Sequence, residues 1–186
     1  GDTNNVSIVE ADNCWVKAPH QWRNQGCVAV SSENGTIGAP LNKDGGGVYV
    51  LEWDPVHGYI KSWIFKRSKM PANLNAAIQT AGQKTEFRVA PKPDHWERPY
   101  AYFAIGPNTG CSANHFRSMR LIFNLAFCGK VSGAKFAQDC PALMKEFSST
   151  SNKTDPIEAC NVYIASNPAA LEDAYWKMGG VYVYQR

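Results

Sequence analysis

A chain of 186 residues with 44% hydrophobic composition can bury a sizeable core, which sets disorder aside and points to one domain over residues 1–186. Its formal charge is +3, from 19 Lys and Arg against 16 Asp and Glu; a balance so slight favours solubility and marks neither a nucleic-acid partner nor an acidic one. Nowhere does an apolar run approach the roughly 20 residues needed to span a bilayer, so no membrane partner is expected.

Short alternating segments dominate the chain. VSIVEA (6–11), CVAVSS (27–32) and GVYVLEWD (47–54) read as strands, each bounded by Gly, Asn or Pro. YIKSWIF (59–65) follows Pro55 to Gly58, a four-residue connection that predicts a β-hairpin with GVYVLEWD. KTEFRVA, YAYFAIG and MRLIFNLAF continue the pattern. In the last of these Leu121, Phe123, Leu125 and Phe127 share one face, and the apolar Ile122 and Ala126 on the other predict a central position in a sheet. GGVYVYQR (179–186) reads as a closing strand. Two stretches break the period. CPALMKEF (140–147) fits a short helix with proline in its first turn, and NPAALEDAYWKM (167–178) fits a longer one capped by Asn167. The polar stretch 147–156 reads as a loop. Many antiparallel strands with one or two peripheral helices predict an all-β sandwich or jelly roll.

Six cysteines, Cys14, Cys27, Cys111, Cys128, Cys140 and Cys160, are spaced too widely for a zinc ribbon or a C-x-x-C redox pair. Their even number fits a secreted, oxidised protein. Cys14 with Cys27 is the natural local pair, Cys128 with Cys140 a second, and Cys111 with Cys160 remains by elimination. Glycosylation triplets at Asn5, Asn34 and Asn152 support the same extracellular location. The opening GDTNN is polar where a leader would be basic and then apolar, so residue 1 is expected to be a mature or trimmed terminus.

The landmarks GGGVYVLEW, YIKSWIFKR, MPANL, the P-x-P-D-x-W-x-x-P of Pro91 to Pro99, CSANHF, LIFNLAFCG and CNVYIASNPAALEDAYWKMGGVYVYQ stand in a familiar order. The chain resembles the later part of a fungal-type glycoside hydrolase family 16 domain of the laminarinase or endo-β-1,3(4)-glucanase kind. That resemblance spans nearly all 186 residues and implies a curved, concanavalin A-like β-jelly roll lacking its N-terminal strands. The family hallmark, a strand reading E-x-D-x-x-E, does not occur in the sequence. A retaining glycosidase needs two carboxyl groups about 5 to 5.5 Å apart, tuned to different pKa values, and that strand would carry them. The resemblance also places a histidine near Val9, and Asp and Trp where Lys130 and Val131 stand. No catalytic residue is therefore expected in this chain.

The remaining candidates concern sugar contact. Glu52 could accept hydrogen bonds from sugar hydroxyls or serve as a structural carboxylate, with Asp54 beginning the turn at Pro55. Trp15, Trp22, Trp53 and Trp96 are platforms for a pyranose face or packing residues, and His115 in CSANHF lines a groove or sits on a loop. Of these, Glu52, Trp53, Trp96, His115 and Trp15 form the expected substrate-binding set. Glu10 and Asp12 repeat the two-residue spacing and read as a solvated sheet edge. Four scattered histidines offer no metal-ligand spacing, and no cofactor is expected. Lys61, Lys66, Arg67 and Lys69 read as a solvated strand edge. The resulting expectation is a secreted β-glucan-associated protein without catalysis of its own, whose partner is β-glucan or a related polysaccharide. Two alternatives stand beside it. One is the large fragment of a processed retaining β-glucanase, joined to a companion polypeptide or self-associated; the other is a secreted protein-interaction, inhibitory or defence module.

Overall fold

The computed structural model describes residues 13–21, 25–27, 29–107 and 109–185. The predicted strand 6–11, with Asn5, Val9, Glu10, Asp12 and Trp22, lies outside the described residues. The chain divides into two compact units. One runs up to Met119 and takes in the segment from Tyr182 onward, and the other is Arg120–Val181.

The first unit is built on the hairpin. Strand β1 (Gly47–Asp54) pairs antiparallel with β2 (Tyr59–Lys66) over its full length, from Gly47 opposite Lys66 to Asp54 opposite Tyr59. Asp54 closes the connection: its Oδ1 accepts the backbone N–H groups of Val56 and His57 at 2.9 Å each, and its carbonyl accepts Gly58 N–H at 2.9 Å. Gly58 has φ +72°, and a Cβ there would collide with the Ile105 carbonyl oxygen, so the position requires glycine. A third strand, β3 (Ala101–Ala104), pairs antiparallel with β2, and Tyr100 N–H to Ser62 O and Ile105 N–H to Gly58 O extend that ladder at both ends.

Alternation along the hairpin gives the unit its core. Val48, Val50, Trp63 and Phe65 share one face, which packs on Leu74 and Ile78 of helix α2 (Ala72–Thr80), with Met70 and Trp96 alongside. Trp63 and Phe65 are each 3% exposed. A short helix α1 (Gly38–Lys43) leads into β1, with Gly46 N–H bonded to the Leu41 carbonyl. From the far end of the chain, the Tyr184 hydroxyl donates to the Ala77 carbonyl of α2 at 2.7 Å. Burial, and secondarily Tyr182, pushes the Tyr184 phenol above its ordinary pKa.

The second unit is helical: α3 (Gly129–Ser132), α4 (Phe136–Asp139), α5 (Pro141–Ser151) and α6 (Pro156–Ser166). Pro156 occupies the first turn of α6, and Asp155 Oδ1 caps it by accepting Ile157 N–H at 2.9 Å. Asn152 ends α5 in the left-handed conformation, φ +59°. Lys153 pairs with Glu158 across the connection. Phe136, Ala159 and the Cys128–Cys160 disulfide are buried, with Leu143, Met144, Phe147, Tyr163 and Ile164 packed around them.

This architecture overturns the expected jelly-roll β-sandwich. Helical turns hold 38% of the described residues against 12% in strands, and the one sheet among them is open, in the order β1-β2-β3. Alternation proves sufficient for a strand only where a ladder partner lies close in sequence or edge-on to it. KTEFRVA contains a single 3-10 turn at Thr85–Phe87, and residues 119–127 and 179–185 form no ladder. The described part of CVAVSS is likewise irregular. Helices also fall differently from expectation. The predicted loop 147–156 is helical to Ser151, and Asn-Pro at 167–168 marks the end of α6 rather than the start of a long helix. Asn167 Nδ2 donates back to the Tyr163 carbonyl, and Pro168 opens only a 3-10 turn to Leu171.

The cysteine pairing differs as well. Cys14 is bonded to Cys27, but Cys128 joins Cys160 in place of Cys140, and Cys111 and Cys140 carry free thiols. Cys160 lies on the buried side of α6 facing Cys128, whereas Cys140 is used as the N-terminal flanking residue of α5.

Candidate functional site

The face that buries Trp63 and Phe65 continues, toward the hairpin turn, as a polar and aromatic surface. Register places Glu52 opposite Lys61 and Asp54 opposite Tyr59 on this face, and Tyr102 of β3 opposite Lys61. His57 joins from the turn, its Nδ1 2.7 Å from Asp54 Oδ2. The strand period thus brings two carboxylates, two phenols, an ammonium and an imidazole together at one end of the sheet.

Lys61 organises the group. Its Nζ lies 3.9 Å from Glu52 Oε2 and 3.9 Å from the centroid of the Tyr59 ring, which forms an ion pair and a cation–π contact together. Tyr59 stacks on Tyr102 with centroids 6.0 Å apart, and His57 stacks on Tyr59 at 6.4 Å. The result is a half-buried aromatic cluster bordered by hydrogen-bonding groups, with the Glu52 side chain 11% and the Lys61 side chain 24% exposed.

Electrostatics fixes the protonation of two members. Backbone hydrogen bonding from His57, then its side-chain bond and charge, with a further N–H from Val56, hold the Asp54 carboxyl down to about 2. Asp54 is therefore a permanent acceptor at neutral pH and cannot deliver a proton. Tyr59 moves the other way, pushed up to about 12 by burial first and then by the charges of Glu52 and Asp54 and hydrogen bonding to Asp54. Its hydroxyl stays protonated, a donor throughout the physiological range. Such a surface can recognise a polyhydroxylated molecule: phenol and ammonium donate, carboxylates accept, and the ring faces cover apolar C–H surface.

The expected substrate-binding residues scatter around this surface. Glu52 belongs to it. Trp53, the next residue, points to the opposite sheet face, where it forms an exposed stripe with Tyr49 and Leu51. Trp96 lies under the hairpin, edge-to-face with both Trp63 and Phe65 at 5.3 Å, and its Nε1 donates to Asn73 Oδ1 at 2.7 Å. His115 is an exposed residue ending the 3-10 turn Ala113–His115. Trp15, 59% exposed, sits inside the loop closed by Cys14–Cys27. Tyr59, Lys61 and Tyr102 were not among the expected contacts. The alternation that places Glu52 and Asp54 together carried the signal for Tyr59 and Lys61, while Tyr102 required knowledge of which strand pairs with β2. Among the described residues no three His, Cys, Asp or Glu side chains form a metal-binding group, and no helix is long and apolar enough to cross a membrane.

Residues 2–184 match the family model described as XgeA-like, catalytic GH16 domain. The chain belongs to glycoside hydrolase family 16, in its XgeA-like branch. It is 32% identical to a probable glycosidase of Schizosaccharomyces pombe over 93% of its own length and 34% of that protein. It is 34% identical to a probable endo-1,3(4)-β-glucanase of Aspergillus fumigatus, covering 86% of this chain and 21% of that one. A similar identity, 34% over 86% of this chain and 22% of the relative, links it to the endo-1,3(4)-β-glucanase of Emericella nidulans. The chain thus spans about a third or less of the length of these relatives. Within this family 16 chain, glycosylation triplets stand at exposed turn positions, Asn34 before α1 and Asn152 at the end of α5.

Proposed function

We propose that this family 16 chain is a secreted β-glucan-associated protein that holds the polysaccharide on the Glu52–Tyr59–Lys61–Tyr102 surface and has no autonomous glycosidase activity. The observation that carries the reading is the aromatic pair of Tyr59 and Tyr102, with the Lys61 ammonium over the Tyr59 ring and Glu52 beside that ammonium. A pyranose laid on the rings places its equatorial hydroxyls beside the ammonium and the carboxylates. Cleavage would need one carboxyl held protonated near neutral pH beside an ionised one. Asp54, held at about 2, cannot take the acid role, and the sequence contains no E-x-D-x-x-E strand. The Cys14–Cys27 and Cys128–Cys160 disulfides support an oxidising, extracellular location.

Titration with laminarin and with a mixed-linkage β-glucan tests this. Saturable binding is expected, reduced about tenfold or more by Tyr102→Ala and little changed by Trp53→Ala on the opposite face. Binding that survives Tyr102→Ala but not Trp53→Ala would move the site to the outer face of β1. Steady release of reducing sugar from laminarin by the purified chain would refute the non-catalytic reading.

A second reading, the large fragment of a retaining β-glucanase working with another polypeptide, is favoured by the segment 121–127. Leu121, Ile122, Phe123, Leu125 and Phe127 all stand exposed, Ile122 by 77%, in a stretch whose apolar residues suit both faces of a strand. Native mass measurement separates the two: a second polypeptide or a second copy supports the fragment, and a monomer excludes it.

A further inference from the structure

On the first unit, away from the Tyr59–Tyr102 surface, a cleft of about 360 Å³ is lined by the loop at Ser31–Glu33, the end of β2 and the segment Glu97–Tyr100. Its volume falls in the range of pockets that hold a small organic molecule. Three cationic residues, Lys66, Lys69 and Arg98, line it against two acidic ones, Glu33 and Glu97. The cations are not dispersed. Lys66 Nζ and Lys69 Nζ converge on one oxygen, Glu33 Oε1, at 3.5 Å and 3.2 Å. Two ammonium groups aimed at one carboxylate oxygen are a ready-made clamp for a carboxylate, here filled by a residue of the chain itself.

Glu33 is 33% exposed and Lys69 is 70% exposed, so the Lys69 ion pair is partly hydrated, while Lys66, 20% exposed, reaches the same oxygen from a more buried position. The loop is tied by the Glu33 N–H to Ser31 Oγ, at 3.2 Å. A ligand carboxylate arriving with its own hydroxyls could take the place of Glu33 on the lysines and gain the hydroxyls of Ser31, Ser32 and Tyr100 at the cleft wall. We propose that this cleft is a binding site for a carboxylate-bearing sugar of the uronic-acid class, with Lys66 and Lys69 as the carboxylate clamp and Glu33 as a resident competitor displaced on binding. The site is separate from the proposed β-glucan surface and does not depend on it.

Sodium glucuronate is the probe, followed by calorimetry or by backbone amide shifts, with glucose as the neutral analogue and inorganic phosphate as the bare oxyanion. Glucuronate is expected to bind while glucose binds at least about tenfold more weakly, since it lacks the charge. Lys66→Ala and Lys69→Ala should each weaken glucuronate by about tenfold, and Glu33→Gln should tighten it by about three- to fivefold by removing the competitor. An unchanged unfolding midpoint for each variant ties these effects to the cleft. Phosphate binding as tight as glucuronate would overturn the assignment to a sugar acid. Glucuronate binding indifferent to Lys66 and Lys69, unaltered or weakened by Glu33→Gln, or absent from the wild-type chain and the Glu33→Gln variant alike, would overturn the site.

Discussion

Glu52 and Lys61 face each other directly across the β1–β2 ladder, with Lys61 Nζ 3.9 Å from Glu52 Oε2 and the same ammonium resting on the Tyr59 ring. Opposite charges at a cross-strand position contribute up to about 1 kcal/mol, and the aromatic contact adds a second tie to the same lysine. A double-mutant cycle with Glu52→Gln and Lys61→Met should therefore give a favourable coupling of about 0.5–1 kcal/mol in urea unfolding. A coupling of zero would show that the pair is held apart by solvent, and the sugar-binding surface would then lack its organising cation.

The hairpin turn has an acid limit and the aromatic stack an alkaline one. Asp54 has a folded pKa of about 2, below the roughly 3.9 of an unfolded aspartate. A depressed pKa contributes stability that is present above about pH 3.9 and is lost as pH falls through about 2. The carboxyl carbon of Asp54 should titrate near pH 2 by NMR; a midpoint near 3.9 would mean that the His57 and Val56 hydrogen bonds do not persist in solution.

Tyr59 has the opposite sign. Its folded pKa of about 12 lies above the unfolded value of about 10. Its contribution is complete below pH 10 and disappears as pH rises through 12. The ultraviolet phenolate signal lost on Tyr59→Phe should be centred near pH 12, and a difference centred at pH 10 would place this phenol in open solvent.

Gly58 is the position where backbone geometry leaves least choice. Alanine there must adopt φ near +72° and drive its Cβ onto the Ile105 carbonyl, at the point where β3 is tied to the turn. Gly58→Ala should cost about 2–4 kcal/mol in urea unfolding, whereas Gly82→Ala, with open space around its Cβ and an ordinary φ, should be neutral or stabilise by up to about 1 kcal/mol. Equal effects at the two sites would contradict the turn geometry.

Peptide mapping without reduction should recover Cys14–Cys27 and Cys128–Cys160, with alkylatable thiols at Cys111 and Cys140. A Cys128–Cys140 peptide would contradict the helical packing of the second unit. Cys160→Ser should lower stability by about 3–4 kcal/mol, the loop-closure value for a separation of 32 residues.

Legibility in the sequence followed the range of the interactions involved. GVYVLEWD and YIKSWIF could be paired on paper because four residues separate them and the turn chemistry of Asp54 to Gly58 is local. Trp63 could be placed in a core strand by the same alternation, and it is buried. Helix α6 was missed although Asp155 and Pro156 are a standard start signal, because Asn167-Pro168 offered the same signal twelve residues later. The chain uses that second pair to stop a helix. Trp96 illustrates the limit for site residues: a tryptophan has the same sequence appearance whether it covers a sugar or, as here, packs edge-on to Trp63 and Phe65.

By itself the sequence determined the family and the β1–β2 hairpin, since these depend on residue order and on a two-residue period acting over short separations. Only the tertiary structure decided that the sheet has three strands among the described residues, that Cys128 finds Cys160, that Tyr102 pairs with Tyr59 and that Lys66 and Lys69 converge on Glu33. Each of those outcomes joins residues distant along the chain, and their distance in space is set by the packing of whole elements, which no local pattern encodes.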